Sequence, residues 1–187
     1  MKSKRNTNII LLLLVILLPA IAVYLKYDMF NTNLPEFSLM GIGAKAIVII
    51  LVFLSGYLYA RSQNRDAEIR PLFRTMFIMV LAGEISIATV DYLCMFHLFP
   101  DFIQTFYEHN KIWLKEHSHW PEEQQKEALQ DILNLKTVRF QDILQSFLRS
   151  VITSSIFAII FAFIIKGYHN KNLRLRHWQS GLNQVES

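Results

Sequence analysis

The stretch LMGIGAKAIVIILVFLSGYLYA, Leu39 to Ala60, carries a single charge, Lys45, and contains no proline. A hydrocarbon core of about 30 Å needs about 20 consecutive apolar residues in a helix, and this run supplies them. Three further stretches repeat the pattern: Ile9 to Leu25, Leu72 to Phe99 and Phe147 to Ile165. The chain of 187 residues is 52% hydrophobic with a mean hydropathy of +0.27, values that a soluble domain could also show. The gathering of the apolar residues into long runs decides against that reading. The expectation is an all-α, polytopic membrane bundle of four transmembrane helices, spans about 9–25, 39–60, 72–99 and 147–165, forming one membrane domain. An extramembrane helical hairpin, about 101–146, fills the gap between helices 3 and 4, and a tail, 166–187, follows.

Charge sorts between the spans. The first, third and last polar segments, taken with Arg74 at the inner end of the third span, hold eleven basic residues, among them Lys2, Arg5, Arg61, Arg70, Lys166 and Arg174, against only Asp66, Glu68 and Glu186. The other two hold ten acids against six basic residues. Lys and Arg are retained on the cytoplasmic side during insertion, so both termini are expected inside and the hairpin outside. The formal charge of +4 does not indicate nucleic acid, because the basic residues lie in short segments beside the spans without interleaved stacking aromatics. Their natural partner is the anionic surface of a lipid bilayer.

The first span has a rival reading. Lys2 to Arg5, an apolar run and Ala20-Ile21-Ala22 also fit a cleaved secretory signal. The run continues through Val23, Tyr24 and Leu25, longer than a usual signal core, which favours a retained helix bent mildly at Pro19. Cleavage after Ala22 would leave the orientation of every later helix unchanged.

Between the spans, Asn31-Thr32-Asn33 with Pro35 reads as a short connector, and Arg61 to Pro71 as a tight loop that makes helices 2 and 3 antiparallel neighbours, with Pro71 in the first turn of the third. Beyond Pro100, Phe102, Ile103, Phe106, Trp113 and Leu114 recur at helical spacing among charges. Pro121 with Glu122 and Glu123 starts a second helix, because proline fits a first turn and acids complement the positive dipole end. Its apolar positions run without glycine or proline into the fourth span. The two outer helices are expected to pair as a cap.

Four spans, Phe99-Pro100-Asp101-Phe102 after an aromatic-rich third span, a restart at Pro121-Glu122-Glu123-Gln124 and a final Ile164-Ile165-Lys166 resemble a membrane family of Bacteroidota catalogued as domain of unknown function 4199. The resemblance implies a small bacterial inner-membrane protein and no particular activity.

Four charges fall within or at the edge of spans: Lys45, Glu84, Asp91 and Arg149. Each costs about 2.5 to 3.5 kcal/mol at a bilayer centre, so they should face one another or water. Lys45 and Asp91 lie at similar depth and are the leading expected ion pair. Glu84 and Asp91, seven residues apart, share a helix face. Arg149 can snorkel or join Asp91. The functional reading is a polar cavity open to the outside, with Ser86, Thr89, Thr153 and Ser154 as liners and an unpaired Glu84 as a proton carrier. The competing reading is a structural cluster that fixes helix register.

Other constellations are weaker. His109, Glu116, His117 and His119 with Glu122 match no closed zinc site, so no metal and no cofactor is expected. Cys94, the one cysteine, sits inside a span and reads as packing. Gly41 and Gly43, then Ser55 and Gly56, read as close-approach points between helices, and Tyr57, Tyr59 and Trp178 as interfacial aromatics. No nucleophile stands at recognisable spacing from a base, so a non-enzymatic role is expected. The first expectation is an accessory inner-membrane component whose cap residues Phe106, Trp113 and Trp120 meet a membrane or periplasmic protein partner. A small-solute or proton-linked transporter built on Lys45, Glu84 and Asp91 comes second, since four helices without an inverted repeat lack the usual transporter pattern unless the protein forms a homo-oligomer. A lipid-directed enzyme comes third.

Overall fold

The computed structural model describes residues 2–28, 33–63, 66–117, 119–135 and 140–185, and all regular structure among them is helical. Six α-helices follow in order: α1, Lys2–Asp28; α2, Leu34–Arg61; α3, Ile69–Leu93, which closes on a π-helical turn, Cys94–Leu98; α4, Phe102–His117; α5, Glu122–Asn134; and α6, Phe140–Val185. Four segments are long and apolar enough to cross a membrane: Ile9–Asp28, Leu34–Arg61, Ile69–Leu98 and Gln141–Leu175. Leu39, Ile42, Ile50, Ile78, Ile85, Ile152 and Phe163 stand exposed on their outer faces. Such a belt is costly in water and suited to lipid.

The second span begins earlier than the sequence pattern predicts. Asn33 accepts from the Glu36 amide at 3.0 Å, and Glu36 returns the contact by accepting from the Asn33 amide at 3.3 Å. This capping box, with Pro35 in the first turn, makes the supposed connector the start of α2. At the other boundary, Pro100 disfavours a helical Phe99. The Phe99 amide therefore donates five residues back, to Cys94 at 3.0 Å, and closes α3 in the wider π turn.

The helix α2 and the helix α3 form the central pair, and each packs against both α1 and α6, while α1 also meets the π turn. Close crossings rest on glycine. A Cβ on Gly83 would lie 2.9 Å from both methyls of Val48 and 3.4 Å from Val15, so α1, α2 and α3 meet there. A Cβ on Gly56 would meet Met76 and Ile165, marking the α2, α3 and α6 crossing. Gly41 and Gly43 face open space, which removes them as close-approach points. Beside Pro19, which interrupts the hydrogen-bond ladder of α1, Ser86 of α3 donates to the Ile16 carbonyl at 2.6 Å.

Beyond the spans, α4 and α5 pack on each other, as the sequence pattern predicts. The expected unbroken run of α5 into the fourth span falls on 136–139, outside the described residues. Buried Asn110 of α4 accepts from the Leu34 amide at 2.7 Å and donates to the Phe106 carbonyl at 2.8 Å, so α4 satisfies a free amide at the start of α2. Around it, Phe37 stacks on Phe102 and meets Phe106 at 4.7 Å between ring centroids, and Tyr27 meets Phe102 at the same distance. Phe106 is therefore a core residue. The expectation that it meets a partner is corrected, because its ring is spent on joining α4 to α2. Cys94 is buried in the same cluster.

Candidate functional site

The feature that sets one end of the bundle apart is a cavity of about 600 Å³ between α2, α3 and α6, at the end where α1 finishes and α2 begins. It reaches from Asp142 and Ser146 on α6, past Ile87 and Asp91 on α3, to Lys45, Glu84 and Ser150 at its floor. The walls are chiefly apolar and the floor is charged.

At the floor, the Lys45 ammonium is in contact with Oε2 of Glu84 and with the Ser150 hydroxyl. The Ser150 hydroxyl donates to Oε2 of Glu84 at 2.8 Å, and that of Ser154 donates to Oε1 at 2.7 Å. Glu84 is 1% exposed, yet both carboxylate oxygens are satisfied. Two helices, α2 and α6, supply the partners, because Glu84 lies one residue from Gly83, where α3 approaches α2 closely, and because Ser150 and Ser154 stand one turn apart on the inward face of α6. The unpaired Glu84 that proton carrying would require is therefore absent: Glu84 is ion-paired with Lys45 and hydrogen-bonded at both oxygens, as a polar cluster between helices would have it.

The expected Lys45 to Asp91 pair is corrected as well. Lys45 reaches Glu84, and Asp91 pairs with Lys26, whose Nζ lies 3.1 Å from Oδ1. The Tyr27 hydroxyl donates to the same oxygen at 2.9 Å. Lys26 is further held over the rings of Phe37 and Tyr27, at 4.1 and 4.8 Å from their centroids. Sequence depth alone misassigned these partners because a lysine side chain spans more than one helical turn, so matching levels do not decide which acid it reaches. Lys26 has the sequence signal that could have found it: it follows the apolar run of the first span directly.

Of the four residues singled out, the cavity therefore gathers Lys45, Glu84 and Asp91, while Arg149 is exposed and makes no ion pair among the described residues. Among the expected liners, Ser154 serves the floor, Ser86 bonds α1, Thr153 is exposed and turns back to the Arg149 carbonyl, and Thr89 is exposed. Ser38, Ser146 and Ser150 line the space instead. Among the described residues no group of His, Cys, Asp and Glu has the arrangement of a metal site.

No protein-family model, curated protein or solved structure matches this chain. Its chemistry has to be read from the cavity.

A second, smaller hollow of about 270 Å³ lies on the same α2 and α6 seam at the opposite end, lined by Tyr57, Arg61, Tyr168 and Asn172. Between the two, α2 and α6 are packed together by Phe53 against Phe161, 5.2 Å between ring centroids, and by Ile165 over Gly56, with Ala158 and Ala162 of α6 buried. Of the two other proposed partner residues, Trp113 is half-buried and Trp120 is 47% exposed over a groove formed with Leu34, Phe37 and Ile132.

Proposed function

We propose that this protein is a bacterial inner-membrane carrier for a small solute, with both termini cytoplasmic and with α4 and α5 forming a periplasmic cap beside the mouth of the cavity. The observation that carries the reading is the cluster of Lys45, Glu84 and Ser150 at the floor of a 600 Å³ cavity, backed by Ser154 bonded to Glu84. A charged group costs several kcal/mol at membrane depth, so a charged floor beneath an open space supports a polar ligand. The volume lies within the range of small-molecule sites. A second hollow at the opposite end of the α2 and α6 seam supports access from the other side. Binding rather than catalysis fits polar groups that are locked to one another. The charge sorting of the loops supports the orientation.

Cysteine accessibility tests this. In a Cys94→Ala background, Ser146→Cys on the cavity wall is expected to react with a membrane-impermeant maleimide from the same side as Glu123→Cys on α5. Ile152→Cys, on the lipid-facing surface, is expected to stay unlabelled. Labelling of Ser146→Cys only from the side opposite Glu123→Cys, or not at all, would overturn the reading.

A second reading, an accessory component that meets a protein partner through the cap, is favoured by exposed Trp120 and Ile112. Crosslinking from Trp120 in native membranes distinguishes it: a stoichiometric foreign partner supports it.

A further inference from the structure

We infer that the cavity is built for a short zwitterionic peptide of two or three residues, carboxylate inward on Lys45 and ammonium outward on Asp91. This rests on the carrier reading and names its substrate class.

The two ion pairs face the cavity in opposite senses. At the floor, Glu84 is buried at 1% and its partner Lys45 is open at 38%. Nearer the mouth, Lys26 is the covered member at 13% and Asp91 is the open one at 38%. Each open group also has unused bonding capacity. An ammonium has three N–H donors, and two contacts hold that of Lys45, to Glu84 and Ser150. Oδ1 of Asp91 takes both Lys26 and Tyr27, while Oδ2 receives no hydrogen bond among the described residues. The cavity thus offers a spare donor on a cation at its floor and a spare acceptor on an anion above it.

Glu84 and Asp91 are seven residues apart on one face of α3, about 10 Å along the axis. Since Lys45 touches Glu84, the open charges have a similar separation. A ligand lying alongside the wall would span about 10 Å between its charges; one lying in line between them, with a normal contact of about 3 Å at each end, would span about 4 Å. An extended peptide covers at most about 3.3 to 3.6 Å per residue. Two or three residues meet that window, while a single amino acid falls short and five overshoot. Ile87, Ala88, Ile143 and Phe147 line the middle of the path, so apolar side chains suit it.

The test uses the full chain in lipid nanodiscs and calorimetric titration with alanine, dialanine, trialanine and pentaalanine, and with N-acetylated and C-amidated trialanine. Dialanine or trialanine is expected to bind at least about tenfold tighter than alanine, pentaalanine or either blocked form. Lys45→Gln is expected to erase the preference for a free carboxylate, and Asp91→Asn the preference for a free amine. Lys45→Arg is expected to keep the carboxylate preference, which separates a lost contact from a lost fold. Equal binding of free and blocked trialanine, or discrimination that survives Lys45→Gln, overturns the inference. If no peptide binds while Ser146→Cys is labelled as expected, the peptide assignment falls and the carrier reading stands; if that labelling also fails, both fall.

Discussion

Lys45→Met removes the cation from a carboxylate that is 1% exposed, and the size of the effect follows from the surroundings. Breaking a fully buried ion pair from one side costs about 3 to 5 kcal/mol. Lys45 is 38% open to the cavity, so water there screens the charge left behind, and both serine bonds to Glu84 survive. About 2 kcal/mol of destabilisation is expected for Lys45→Met after that discount. Glu84→Gln keeps the shape and an acceptor for a serine while Lys45 turns to the cavity, and about 1 kcal/mol is expected. The double variant leaves no orphaned charge, so its cost should fall short of the sum by at least about 1 kcal/mol. Reversible unfolding in mixed micelles, followed by helical circular dichroism across a titration of denaturing detergent, measures all three. Additivity within about 0.3 kcal/mol would refute the coupling, and with it the assignment of Lys45 to Glu84.

The same unfolding assay checks the other structural assignments. Gly83→Ala is expected to cost about 1 to 3 kcal/mol because the new methyl meets both branches of Val48 at 2.9 Å, and Val48→Ala in the same chain should recover most of it. Gly41→Ala, where nothing lies within 4 Å, should be neutral or stabilising by up to about 1 kcal/mol, and a loss would contradict the open surroundings. Asn110→Ala strips the acceptor from the Leu34 amide and is expected to cost about 1 to 2 kcal/mol, with faster hydrogen exchange at the start of α2. Arg149→Gln, which breaks no ion pair among the described residues, should stay within about 0.5 kcal/mol of the parent.

The four apolar helices were legible because lipid-scale length is a one-dimensional property: a run such as Leu39 to Ala60 announces itself without reference to any neighbour. The cluster was legible in kind for the same reason, since a charge inside such a run needs a partner. Its pairing was not. Which acid Lys45 meets depends on helix rotation, and that is set by Gly83 against Val48, a contact between residues 35 positions apart with no local signature. The roles of the aromatic residues were mixed for a related reason. Phe106 and Trp120 look alike as large apolar residues of the outer segment, but Phe106 lies on α4 facing Phe37 of α2, while Trp120 stands at the bend between α4 and α5, 47% exposed. The start of α2 is written locally, in Asn33 with Glu36 three residues later, but the same asparagine also ends the turn-forming run Asn31-Thr32-Asn33, so the two signals overlap.

The position of the cavity follows from an asymmetry between the two helices that flank the central pair. At that end of the bundle, α1 is held by Tyr27, which meets Phe37 and Phe102, and by Lys26 seated over aromatic rings and paired with Asp91. Large rings fill the space on that side and tie α1, α2 and α4 together. The facing stretch of α6 brings Ser146, Ser150 and Ser154, side chains too small to fill the gap between helices, with Ile143 and Phe147 set to the wall. Its polar ties to the core include the two serine bonds to Glu84, the Lys45 contact at Ser150 and, far along the helix, Asn170, which accepts from the Ala67 amide at 2.8 Å. Space is left where ring packing stops, and there α6 is tied by polar contacts at the floor, while farther along Ala158, Ala162 and Ile165 pack it into the apolar core. A ligand that draws Lys45 toward itself would therefore act on the same contacts that hold α6, which couples occupancy of the cavity to the position of that helix.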